Sequence, residues 1–167
     1  MIQKQNIINR EHYDSVIYLS HPYGGKQENL SEINECQRLL TIMHPENLYL
    51  NPIAMFGNLY DCTTYEQGLN MTLFLLEELA DRMVICSDNY MYSKGCLAEI
   101  AYCSEREIPY KYLTLSQIKK EYEQYMANFI IGTLIGLVLG FLIAYRTVIE
   151  MLDELDENDK GGKCQWN

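Results

Sequence analysis

Short apolar runs alternate with longer stretches of helical periodicity along the first 113 residues. Ser15 to Ser20 (SVIYLS) is apolar and β-rich and leads into His-Pro-Tyr-Gly-Gly, the pattern of a buried strand ending in a loop. Leu30, Ile33, Leu40 and Met43 fall near helical spacing, which predicts a helix over roughly Glu28 to Met43. Leu48 to Asn51 reads as a short second strand stopped by Pro52, and a Gly-, Asn-, Asp- and Thr-rich loop follows from Ile53 to about Thr64. Tyr65 to Leu79 places Leu69, Leu73 and Leu76, with Ala80 beyond, on one helical face. Arg82 to Cys86 (RMVIC) is a third strand, Gly95 to Arg106 a third helix, and Pro109 to Leu113 a fourth strand. Short apolar strands alternating with amphipathic helices predict an α/β fold: a flavodoxin- or Rossmann-like parallel sheet of four to five strands flanked by helices. Ligands of such sheets bind at the carboxyl ends of the strands. That points to the loops His21–Lys26, Pro52–Thr64 and Ser87–Lys94.

The pattern changes after residue 115. Ser116 to Asn128 is polar and helix-prone, a helical linker between a domain over 1–115 and an apolar segment. That segment, Phe129 to Tyr145 (FIIGTLIGLVLGFLIAY), carries no charge over 17 residues. As a helix it spans about 25 Å, and adding Tyr125 to Ala127 approaches a ~30 Å hydrocarbon core. Tyr125 and Tyr145 would then sit at the two interfaces. The expectation is a transmembrane-type helix over 129–145, with burial or self-packing as the other reading. Gly132, Gly136 and Gly140 recur every fourth residue, a spacing that lets two helices approach closely in lipid and is also common in single membrane helices. Lys119 and Lys120 precede the span and acidic residues dominate after Arg146, which favours a cytosolic N-terminal domain. The tail over 146–167 is acidic and amphipathic and ends polar.

Composition narrows the function. The formal net charge is −10 over 167 residues, which repels nucleic-acid phosphates and argues against a DNA- or RNA-binding role. A small nucleotide remains compatible, because backbone amides can hold it in an acidic protein. The six cysteines form no CxxC pair and match no zinc spacing, so neither metal nor cofactor is expected. Several lie in apolar runs such as Val84-Ile85-Cys86, as buried reduced thiols would. Met1 to Arg10 is polar and unlike a secretory signal, which again places the domain in the cytosol.

Chemistry concentrates in two places. Ser93-Lys94-Gly95-Cys96-Leu97-Ala98-Glu99 opens the third helix, with Ser93 a candidate N-cap and Gly95 leaving room for a ligand near the backbone. Glu99 is either a nucleophile kept ionised by the helix dipole or a residue that merely complements that dipole. His21-Pro22-Tyr23-Gly24-Gly25 is either a simple turn or a loop whose backbone amides face a phosphate or ribose. His21 could bind a phosphate, act as an acid, or sit solvated in the loop. Asp81, at the mouth of the third strand, is either catalytic or the end of a helix.

Taken in order, Ile17-Tyr18-Leu19-Ser20-His21-Pro22-Tyr23, Asn51-Pro52, Leu75-Leu76 with Ala80-Asp81, Ser93-Lys94-Gly95 with Glu99, and Ile108-Pro109 resemble the nucleoside 2-deoxyribosyltransferase-like superfamily. The likeness is to its small DUF4406 branch and covers roughly residues 15 to 113. It implies a flavodoxin-like sheet in a homodimer or larger homo-oligomer and cleavage or transfer of an N-glycosidic bond of a deoxynucleoside or its 5′-monophosphate. A glutamate attacks the anomeric carbon and a second acid protonates the departing base, the two-carboxylate logic of retaining glycoside hydrolysis. Carried over, Glu99 is the nucleophile, Tyr18 positions it, Ser93 and Gly95 meet the sugar or phosphate, and Tyr23, Gly24 and Gly25 border the ligand. Three positions depart from the pattern. His21 stands where the family has Gly, Gly24 near an expected Arg, and Thr72 where an Asp partners the leaving base; Asp61, Glu66 or Asp88 are the candidates to replace that Asp. The resemblance therefore implies an N-glycosidase or deoxyribosyltransferase. The departures and the appended span leave a second reading, a catalytically weak nucleotide sensor coupled to a membrane.

Overall fold

The computed structural model describes residues 12–161, with side chains as far as Leu152. The expectations for Met1 to Arg10, for Cys164 and for the polar chain end lie outside those residues. Four parallel strands, β1 (Ser15–Ser20), β2 (Asn47–Leu50), β3 (Arg82–Ile85) and β4 (Tyr110–Tyr112), form one sheet in the order β2-β1-β3-β4. The helices are α1 (Gln27–Met43), α2 (Pro52–Phe56), α3 (Tyr65–Glu78), α4 (Lys94–Glu105) and α5 (Leu115–Gly161). The expected α/β architecture is therefore present, with a four-stranded parallel sheet flanked by helices and a long apolar helix after it.

The central strands β1 and β3 are buried on both faces, with side chains alternating between the two layers. Ile17, Leu19 and Val84 pack toward Ile33, Cys36, Leu39 and Leu40 of α1 and toward Ile118 at the start of α5. Tyr18, Met83 and Ile85 face the other way, toward Leu75 and Leu76 of α3 and Cys103 of α4. Burial of each large aliphatic side chain contributes about 1.5–3 kcal/mol, so these two apolar layers hold the sheet.

Local signals set the helix ends. Thr64 and Gln67 form a reciprocal capping box at the start of α3, with bonds of 3.2 and 2.9 Å. Thr114 and Gln117 repeat the arrangement at the start of α5. The span after Pro52 corrects the expectation of a continuous loop: it contains α2 and a 3-10 turn at Gly57–Leu59. Asn51 caps α2 by accepting the Ala54 N–H at 3.1 Å, and Pro52 occupies the first turn, where no N–H is needed. Five residues are too few for apolar periodicity to register.

The chain divides into a unit ending at Glu123 and a second beginning at Gln124. The first runs beyond residue 115 because Ile118, fully buried, belongs to the core. The second continues α5. Its apolar side chains are exposed, with Leu137 at 67% and Phe141 at 72%, a pattern that in water would be unfavourable at nearly every position. The stretch Leu115–Leu152 contains a window of mean hydropathy 2.3 with none of it buried, long and apolar enough to cross a membrane. A Cβ at Gly132, Gly136 or Gly140 would meet nothing within 4 Å.

Candidate active site

β1 ends at Ser20, so the two-residue period of the strand sends both Tyr18 and Ser20 to the face covered by α3 and α4. α4 starts just beyond the loop after β3. Ser93 is its N-cap, its Oγ accepting the Cys96 N–H at 3.3 Å, as the sequence suggests. From there the helix carries Glu99 down over the carboxyl end of β1. The Tyr18 hydroxyl donates to Glu99 Oε1 at 2.5 Å and the Ser20 hydroxyl to Oε2 at 2.6 Å. Both carboxylate oxygens are thereby fixed by hydroxyls from one strand.

Glu99 is 6% exposed. Burial raises its pKa above the usual carboxylate value, against the opposing pull of Ser20, Tyr18 and Thr72. This corrects the expectation that the helix dipole governs its ionisation. Glu99 is the sixth residue of α4, beyond the first turn where the dipole acts, so desolvation outweighs it. The Tyr18 phenol is pushed well up by its own burial and then by Glu99, which keeps it a donor. Burial and then Glu99 raise the Cys103 thiol to about 11, so it stays an unreactive core group.

A cavity of about 630 Å³ opens above Glu99, within the usual range for small-molecule sites. Its walls come from the loop after β1 (His21 to Gly24), from parts of the segments 52–65 and 68–72, the latter on α3, and from Ser93 to Cys96 at the start of α4. Of the residues singled out in the sequence, Glu99, Ser93, Gly95, His21, Tyr23 and Gly24 line it. Tyr18 lies beneath, fully buried, and bonds Glu99 on the cavity floor. Gly25 does not line it. Gly24 and Gly25 have φ of 57° and 69°, and a Cβ on Gly25 would come within 3.0 Å of the Tyr60 ring, so glycine lets this ring pack on the loop. Tyr60 in turn meets Tyr23 edge-on at 5.2 Å, and the Tyr23 hydroxyl donates to the Gly57 carbonyl at 3.2 Å.

Asp81 is not part of this cluster. It precedes β3 at the amino end of the sheet and accepts the Val16 N–H at 2.7 Å, which makes it a backbone tie. Asp61, Glu66 and Asp88 do not line the cavity either. Thr72 does, and its hydroxyl donates to the Leu69 carbonyl at 3.0 Å. Ser20 is a site residue that the sequence shows only as the last position of an apolar strand. Its place two residues after Tyr18 is the signal that pairs them. Among the described residues no three His, Cys, Asp or Glu side chains converge as metal ligands.

Fold and site together define a parallel α/β domain with a ligand-sized cavity at the carboxyl ends of its central strands, floored by one buried carboxylate. No protein-family model matches the chain, and neither a curated protein nor a solved structure does.

Proposed function

We propose that the domain is an N-glycosidase or deoxyribosyltransferase-like enzyme for a nucleoside or nucleotide, with Glu99 as the nucleophile. The observation that carries this is the seating of Glu99: a carboxylate on a cavity floor, oriented by Tyr18 and Ser20 at 2.5 and 2.6 Å. A nucleophile must be held within bonding reach of an anomeric carbon, and two short hydrogen bonds from a buried strand provide that preorganisation. The strand order β2-β1-β3-β4 supports a doubly wound, flavodoxin-like relationship, since the cavity lies where the order reverses between β1 and β3. Ser93, Gly95 and the His21–Gly24 loop border the sugar or phosphate. α5 anchors the domain to a membrane, and the spacing of its glycines supports association of copies.

The test is release of free base by the full-length protein in detergent, across a panel of deoxynucleosides, ribonucleosides and their 5′-monophosphates. Release of base that stops in Glu99→Gln supports the enzyme; release unchanged by that substitution removes the nucleophile role. Anchoring is checked by carbonate extraction of membranes. The native chain stays in the pellet, and Leu137→Lys with Phe141→Lys releases most of it, because each charge at a helix centre costs about 2.5–3.5 kcal/mol.

One observation favours a second reading. Thr72 occupies the position where the resembled family has an acid, and Glu99 is the one acidic side chain lining the cavity among the described residues. A nucleotide sensor that signals through α5 would bind without turnover. Thermal stabilisation by a nucleotide without base release identifies it.

A further inference from the structure

An N-glycosidic bond to an ordinary nucleobase breaks with its electron pair moving onto the base, and a positioned acid that protonates the base speeds this by about 10²–10⁴. The cavity has no well-placed acid for that step among its described residues. Glu99 is its sole carboxylic side chain and is already assigned as the nucleophile. His21 Nδ1 lies 2.7 Å from the Pro22 carbonyl, which can only accept, so that nitrogen carries its hydrogen there. Its Nε2 is sealed from solvent, 3.6 Å from the Glu32 carboxylate and with no hydrogen-bond partner among the described residues. The Thr72 hydroxyl donates to the Leu69 carbonyl at 3.0 Å. The other polar side chains on the walls are phenols, hydroxyls, the Asn29 amide, the Cys96 thiol and two lysine ammonium groups, with no second carboxyl among them.

The walls do suit a different leaving group. Tyr23, Tyr60, Tyr65 and Tyr92 line the space above the Glu99 carboxyl, and tyrosine faces attract a cationic ring. Lys26 and Lys94, both exposed, line the same cavity and have no ion-pair partner among the described residues, which leaves them for phosphate. Resting on the glycosidase reading above, we propose that the substrate is a nucleotide whose base is bonded to C1′ through a cationic, pyridinium-type nitrogen. A Glu99 oxygen attacks C1′ and the C1′–N bond breaks. The electron pair returns to the ring nitrogen, so the cation leaves as a neutral pyridine and no proton is required. Water then attacks C1′ of the glycosyl ester, the Glu99 carboxylate is regenerated, and the surplus proton passes to solvent. The substrate also corrects the charge state of its own nucleophile, because a cation beside a buried carboxylate favours the ionised form.

The experiment compares leaving groups on the full-length protein in detergent. Nicotinamide mononucleotide and nicotinamide adenine dinucleotide carry the cationic bond; adenosine and deoxyadenosine 5′-monophosphates carry the neutral one. The expected result is kcat/KM at least about 100-fold higher for the pyridinium pair, the range an absent general acid implies, with turnover lost in Glu99→Gln. Thr72→Asp, with folding checked by its melting temperature, is expected to raise the ratio of neutral-base to pyridinium release at least about tenfold, and an unchanged ratio overturns the assignment. Equal or faster release of the neutral bases by the native protein overturns the pyridinium assignment and leaves the glycosidase reading standing. Release of no base from either class overturns both.

Discussion

The two ends of the sheet use carboxylates in opposite ways. At the amino end, Asp81 accepts the Val16 N–H at 2.7 Å, and the neighbouring Arg82 guanidinium donates to Ser15 Oγ at 3.1 Å. These contacts sit near solvent and tie adjoining strands, so the acid helps the fold. At the carboxyl end, Glu99 is sealed beneath a cavity with its pKa raised, so its ionised form opposes the fold. The two hydroxyls that meet it lessen that cost without cancelling it. A buried carboxylate beside a space that fits a small molecule is the arrangement on which the proposed nucleophile role rests.

The sharpest way to break this contrast is turnover. Glu99→Gln is expected to lower kcat by about 10³-fold or more, whereas Asp81→Ala leaves kcat/KM within about twofold, both read by base release on the same substrate. If the two variants lose activity equally, the division of roles between the ends is wrong. Ser20→Ala tests the hydroxyl cradle: one stabilising bond to the carboxylate is lost, so the Glu99 pKa rises further. Because attack needs the ionised form, the acid limb of the kcat/KM profile moves to higher pH, and an unmoved limb argues against Glu99 as the titrating group.

Stability gives the smaller effects. Asp81→Ala is expected to cost about 1 kcal/mol in denaturant unfolding, since the Val16 N–H of the central strand loses this side-chain acceptor. Glu99→Gln is expected to do the reverse and raise Tm at neutral pH. The sign follows from the raised pKa. The folded state holds the Glu99 proton more tightly than the unfolded chain, so the native protein is favoured below the ordinary value of 4.5 and loses that advantage as pH rises through the folded value. The Tm gap between variant and native protein therefore widens with increasing pH over that window. A gap that is constant with pH would mean burial does not govern Glu99.

Much of the fold is legible along the chain. The alternation of SVIYLS and RMVIC with helical periods locates β1, β3 and the helices between strands, because burial on both faces of a parallel sheet demands continuous apolar runs. The Ser93 cap and the apolar run through Phe129 to Tyr145 are equally local signals, set by backbone hydrogen bonding and by the length of an uncharged helix. Relations across the sheet lie beyond local reading. Tyr18 and Ser20 reach Glu99 over about eighty residues of sequence, Asp81 turns to the opposite end from the catalytic candidates, and Ile118 extends the core past residue 115. Sequence alone determined most of the segments that become strands and helices, the five-residue α2 excepted, because periodicity and capping act within a few residues. Tertiary structure alone decided which acid is buried and which is solvated. That depends on the neighbours each side chain meets, and a carboxylate's solvation is set by those neighbours rather than by its place in the chain.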